Sequence, residues 1–175
     1  MNLITIITII IIIISLIAIG YILIYNKMKN NQSKIEKVEN IIDEDLRHKY
    51  DLLMEIESSI NSKKDYFKEF KELKNENISN FDFERKLKEA EITIKKAYED
   101  TQKENDSTKE LLYQIKTTNE KLAAGISYYN HYMNKRNDYI RKFPNNIIAK
   151  IHGIEIKPFF DQKDMTDDIL EDFKL

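Results

Sequence analysis

From Leu3 to Tyr25 the chain is an almost unbroken apolar run, LITIITIIIIIISLIAIGYILIY, with 13 Ile in 23 positions and nothing more polar than Thr5, Thr8, Ser15 and two tyrosines. At ~1.5 Å per residue it reaches about 34 Å as a helix, enough for a ~30 Å hydrocarbon core. So much Ile favours strand in water, but in lipid a single isolated span satisfies its own backbone only as a helix. The run is therefore read as a transmembrane helix. A cleaved signal peptide is the rival; it requires a basic start and an apolar stretch of ~7–15 residues, and this run lacks the first and exceeds the second. Tyr21 and Tyr25 suit the interfacial belt, and Lys27, Lys29, Lys34 and Lys37 follow at once, which by the positive-inside rule places the remainder in the cytoplasm.

Beyond the run the pattern changes to spacings of 3 and 4. Ile35, Val38, Ile42, Leu46, Tyr50, Leu53, Ile56, Ile60, Phe67, Phe70 and Leu73 predict one helix of up to ~50 residues, continuing the span without a break because no Pro or Gly intervenes. Asn75–Asn80 is the first predicted turn, with Ser79 and Asp82 as an N-cap pair. A second helix shows Phe83, Leu87, Ala90, Ile94 and Tyr98. Glu104-Asn105-Asp106 interrupts, and Ser107-Thr108-Lys109-Glu110 reads as a capping box opening a third helix. Its stripe is Leu111, Ile115, Leu122, Ile126, Tyr129, Met133, Asn137 and Ile140, and Pro144 stops it. Gly153 has the place of a C′ residue, Lys157-Pro158-Phe159-Phe160 is extended before its proline, and Met165, Ile169 and Phe173 allow a short amphipathic helix in the tail. Three long amphipathic helices cannot bury their stripes alone, and short connections set neighbours antiparallel. The fold class is all-α: an N-terminal transmembrane helix followed by an elongated antiparallel helical bundle. The organisation is a transmembrane anchor over 1–25, a helical bundle over 26–160 and an acidic tail over 161–175.

Composition narrows the chemistry. All 28 Lys and Arg and all 30 Asp and Glu fall from Lys27 onward, about 39 per cent of that part against ~25 per cent in an ordinary domain. Signs are interspersed and the net charge is −2, so no basic field is present to hold nucleic acid. With no Cys there is no disulfide, zinc–thiolate site or cysteine nucleophile. His48, His131 and His152 are far apart in sequence and have no metal-ligand spacing, so structural roles are expected for them. Carboxylates pair with lysines one turn away, and neither a Gly-rich loop nor G-x-S-x-G occurs. No catalytic, metal or cofactor residue is assigned. Tyr128, Tyr129, Tyr132 and Tyr139 crowd one segment, as core and seam filling or as a binding groove. Asn130 and Asn137, seven apart, share one helical face beside Tyr129 and Met133. They are either inward determinants of helix register or solvent-exposed.

Tyr129-Asn130, Met133, Asn137, Ile140, Phe143-Pro144, Asn146-Ile147-Ile148-Ala149, Gly153 and Pro158-Phe159-Phe160 resemble, in order and in spacing, the C-terminal signature of the bacterial LemA family. That signature looks like YN-x2-V-x2-YN-x2-I-x2-FP-x-NIIA, then G and a closing FF. Leu46-Arg47-His48-Lys49-Tyr50-Asp51-Leu52-Leu53 is similar to the family's L-x-R-R-x-D-L-I. Met54-Glu55 replaces a Pro-Asn pair that would kink the helix, Arg136 stands where the second YN has Tyr, and Ile126 replaces an arginine. The resemblance implies a membrane-anchored antiparallel helical bundle without established enzymatic activity, and it marks Tyr129, Asn130, Asn137, Phe143, Pro144, Gly153, Phe159 and Phe160 as the candidate interaction or structural signature. The expected role is a non-enzymatic scaffold or interaction module for other membrane or envelope proteins. The rival is a sensor that binds a small ligand or lipid head group between helices around Tyr129 and Asn130, and an enzyme is a distant third. At least one of Phe159 and Phe160 is expected to be buried, since both exposed would form an unsheltered apolar patch.

Overall fold

The computed structural model describes residues 2–60, 67–71, 73, 74, 78–101 and 106–160; the tail from 161, with Met165, Ile169 and Phe173, and the Glu104-Asn105 pair lie outside them. The chain is all α: α1 (Leu3–Ser59), a single 3₁₀ turn (Lys68–Phe70), α2 (Asn80–Thr101), α3 (Asp106–Arg141) and α4 (Asn145–Ile151). No strand occurs among the described residues. Contacts divide the molecule into two compact units, residues 37–129 and residues 1–36 with those from 130 onward.

α1 runs unbroken from the apolar stretch, as the lack of Pro and of any Gly after Gly20 predicts. It ends sixteen residues short of the expected turn. Ser58 Oγ donates to Glu55 O and Ser59 Oγ to Ile56 O, both at 2.7 Å, so these hydroxyls compete with the main chain and close the helix. Phe67 and Leu73 belong to the segment that follows and are still buried. Their spacing imitated a continuing helix because a 3₁₀ turn repeats every three residues. This segment travels back along α1: Tyr50 Oη donates to Lys71 O (2.7 Å), Arg47 Nη1 to Lys74 O (3.2 Å), and Asn80 Nδ2 to Glu39 O (3.2 Å).

α2 therefore starts beside Glu39 and runs the same way as α1 in this unit, reaching Lys49 at Glu91. α3 is antiparallel to both, since Ser59 meets Thr108 while Ile42 meets Gly125, and Phe81 meets Tyr129 while Glu91 meets Asn119. A Cβ at Gly125 would stand 3.3 Å from Ile42 Cγ1, so the missing side chain lets α3 approach α1 closely. The N-cap at Ser79 forms as expected, with Asp82 N donating to its Oγ at 3.2 Å. At the start of α3, Ser107 lies inside the first turn behind Asp106, not at the cap.

The core of this unit combines the three stripes. Ile42, Leu46, Leu53 and Ile56 of α1, Leu87, Ala90 and Ile94 of α2, and Leu111, Ile115 and Leu122 of α3 are all buried. Thr118 fills the gap between Ile115 and Leu122, its hydroxyl donating to Gln114 O at 2.9 Å. Among these apolar groups Lys49 is 3% exposed, and its ammonium meets Glu91 Oε2 at 2.7 Å. Asn119 Nδ2 donates to both Glu91 oxygens at 3.1 Å, and Lys95 caps the carboxylate from the solvent side. Burial alone would raise the Glu91 pKa, but hydrogen bonds from Lys49 and Lys95, the charge of Lys49 and the Asn119 amide outweigh it and hold the carboxylate below the usual glutamate value.

Removing one partner of a buried pair strands the other. Glu91→Ala should cost roughly 3–5 kcal/mol in denaturant titrations, whereas Lys49→Met with Glu91→Leu should come close to wild type. A depressed folded-state pKa gives stability that is present above the unfolded-state value and lost as pH falls through the folded one. The stability gap between wild type and Glu91→Gln should therefore close on acidification below the usual glutamate range. A gap that stays constant there would show that the Glu91 charge itself adds no stability.

Candidate functional site

The signature residues lie where α3 ends and the chain turns back on itself. Asn145 Nδ2 donates to Tyr139 O at 2.9 Å and so satisfies a carbonyl in the last turn of α3. The turn that follows holds the cis Phe143–Pro144 peptide, and Asn146 N donates to Lys142 O at 3.0 Å. α4 closes with Gly153 at φ +60°. Ile154 N donates to Ala149 O (2.9 Å) and Gly153 N to Lys150 O (3.3 Å), the paired bonds of a Schellman cap, for which glycine at C′ avoids a Cβ clash. Ile148 and Ala149 of α4 form a core with Met28 and Ile140, joined by Tyr21, Ile24, Tyr25, Tyr139 and Ile154. The His152 ring packs on Tyr25 with centroids 4.4 Å apart, and its Nε2 is hydrogen-bonded to the Tyr21 hydroxyl.

Residues 154–160 then run extended, without a helix or sheet of their own. Their peptide groups are satisfied by α3 side chains. Asn137 Nδ2 donates to Lys157 O (2.9 Å) and its Oδ1 accepts from Lys157 N (3.4 Å). Asn130 repeats the arrangement: Oδ1 accepts from Phe160 N at 2.8 Å and Nδ2 donates to Phe160 O. Each amide thus plays the part of a neighbouring strand. Seven helical residues rise ~10.5 Å, so the three residues from Lys157 to Phe160 reach from one amide to the other only when nearly fully extended. The N–H-less Pro158 falls between the two grips. Arg136, 5% exposed, adds a third hold by donating to Glu155 O at 2.9 Å and to Asn137 Oδ1 at 3.3 Å.

The candidates therefore separate by role. Asn130 and Asn137 point inward, and what they order is the chain's own C-terminal segment. Phe160 is buried and Phe159 half-buried, which meets the expectation that one of them is sheltered. Tyr129 belongs to the other unit, 1% exposed with its ring edge-on to Phe81. Phe143 is 80% exposed, and Pro144 is also at the surface. Of Asn146-Ile147-Ile148-Ala149 only the last two are buried, and the sheltered amide is the preceding Asn145. Tyr132 has Lys34 and Lys135 over its ring, Lys27 lies 4.7 Å from the Tyr139 centroid, and burial pushes the Tyr139 phenol up from its ordinary pKa. Sequence reasoning missed Arg136, which the resemblance marked only as a departure, while His152 has the structural role expected of it, and its partners Tyr21 and Tyr25 were not foreseen.

If the amides hold the segment, Asn137→Leu leaves Lys157 N–H and C=O unpaired. It should cost about 1–3 kcal/mol and speed hydrogen exchange at Lys157 and Phe160. Asn130→Asp keeps the acceptor for Phe160 N–H and loses the donor, so exchange at Phe160 should rise less than in Asn130→Leu. Phe160→Ala should cost about 3–5 kcal/mol. Unchanged exchange in all of these variants would refute the clamp.

No curated protein and no solved structure matches the chain. The LemA family model matches residues 24–170, which takes in the end of the apolar run, all of residues 37–129 and the signature segment. The order of the motif from Tyr129 to Phe160 agrees with that match, and the chain belongs to the LemA family.

Proposed function

We propose that this LemA-family chain is a non-enzymatic, single-pass membrane protein whose helical bundle is a scaffold or interaction module for other membrane or envelope proteins. α1 is long and apolar enough to cross a bilayer. Its isoleucines from Ile4 to Ile19 lie bare, and Thr8 and Ser15 spend their hydroxyls on Ile4 O and Ile11 O within the helix. Such a surface is suited to lipid. The observation that carries the scaffold reading is that the polar groups of the signature are already committed within the chain: Asn130 to Phe160, Asn137 to Lys157, Arg136 to Glu155. A small ligand between the helices would have to displace Phe160 to reach the Asn130 amide, which counts against the sensor reading. Exposed Tyr113, Tyr128 and Ile92 supply amphipathic contact points for a protein partner.

Lys27, Lys29, Lys34 and Lys37 orient residues 26–175 to the cytoplasm. Protease added to intact spheroplasts should leave that part uncut; digestion without lysis would reverse the topology. A photo-crosslinking residue placed at Tyr113 or Tyr128 in cells should yield one discrete protein adduct, competed by excess unmodified chain. Adducts to lipid alone, or none from either position, would overturn the scaffold reading.

A further inference from the structure

Among the described residues, the side of α4 away from its core carries uncovered apolar groups beside the exposed Asn146 and Lys150. Ile147 and Ile151, one turn apart on it, are 51% and 66% exposed, and Phe143 in the turn that leads into it is 80% exposed, while Ile148 and Ala149 on the other side are buried against Met28 and Ile140. A soluble helix with that stripe outward and its other face already packed gains nothing from water. Its position is tied to the span. His152, the residue after α4, packs on both Tyr21 and Tyr25, and Ile24 and Tyr25 join the same core as Ile148. The helix end thus stands level with the last turn of the apolar run, where a bilayer passes from acyl chain to head group. Lys27, Lys29, Lys142 and Lys150 are exposed around it. Over residues 26–29 and 138–160 six basic side chains stand against Asp138 and Glu155.

We infer that α4 is an interfacial helix. Its Ile147 and Ile151, with Phe143 of the turn before it, insert about 5–10 Å into the head-group boundary of the bilayer that α1 crosses, and the surrounding lysines hold anionic lipid head groups. The occupant is lipid because the end of α4 stands beside Tyr21 and Tyr25, at the last turns of the apolar run, and the exposed lysines nearby carry the charge that anionic lipid attracts. The inference rests on the membrane-anchor reading, and its test separates the two.

The chain has no cysteine, so single-cysteine variants of the full-length protein take one environment-sensitive fluorophore each. In vesicles of phosphatidylcholine with phosphatidylglycerol, probes in L16C, F143C, I147C and I151C are compared with one in I92C, an exposed apolar position of the other unit. Lipids labelled deep in the chain should quench L16C, and lipids labelled near the head group should quench the three α4 positions several-fold more than I92C. Quenching at α4 should weaken when phosphatidylglycerol is left out. Adding Ile147→Asp and Ile151→Asp, both at exposed sites, should abolish quenching in F143C while leaving the thermal melt in detergent unchanged. Quenching of L16C alone overturns the α4 inference and leaves the anchor standing; absence of quenching at L16C overturns the anchor. A blue-shifted α4 probe without lipid quenching means that protein, either residues 161–175 or a second copy, covers the stripe, and this also overturns the inference.

Discussion

Each long helix of this chain carries its apolar side chains on one stripe, and in water a stripe must be covered by another surface. That requirement accounts for most of residues 37–129. α3 covers α1 and α2, and the segment after α1 contributes Phe67 and Leu73 to a core that helices alone would leave open. Where the stripe widens to the whole circumference, from Leu3 to Leu23, no helix among the described residues supplies cover, and the run is long and apolar enough to cross a bilayer. One helix thus carries two different surfaces, apolar all round before Tyr21 and Tyr25 and striped after them.

Covering apolar surface brings polar groups inside, and these need partners. Among the described residues no buried side-chain nitrogen or oxygen lacks one. Two solutions differ in kind. Lys49 and Glu91 solve it by charge, with Asn119 taking the remaining lone pairs of the carboxylate. The extended segment solves it by shape: amide side chains, whose donor and acceptor have the layout of a peptide group, complete backbone that has no sheet to join.

Features set by helical period or by a local cap or stop were legible in the sequence: the long apolar helix, the stripes of α2 and α3 and that of α1 as far as Ile56, the stop before Pro144, the Ser79 cap and the capping role of Gly153. Features that depend on which turn the chain takes were not. Phe67, Phe70 and Leu73 kept helical spacing after the helix had ended at Ser59, because residues three apart share a face in a 3₁₀ turn as well. The same-direction run of α1 and α2 follows from that returning segment, which no spacing rule announces. At the signature, the shared inward face of Asn130 and Asn137 could be read from their separation. Their partners could not, since Lys157 and Phe160 are distant in sequence and are held by main chain. Arg136 escaped notice because a charged residue on a helix is ordinarily solvated, whereas here its guanidinium is almost fully enclosed.

A grip on peptide groups alone does not read side chains, so its alignment must be enforced by something else. Pro158 and Phe160 do this from opposite sides. Sliding the segment one residue so that Asn137 faced Pro158 would offer its amide oxygen a position without an N–H. Sliding it the other way would draw Phe160 out of its buried place. The two residues act as a pawl and a stop, leaving one alignment of the strand-like segment on α3 while the exposed side chain of Lys157 is left open to change to anything but a second proline.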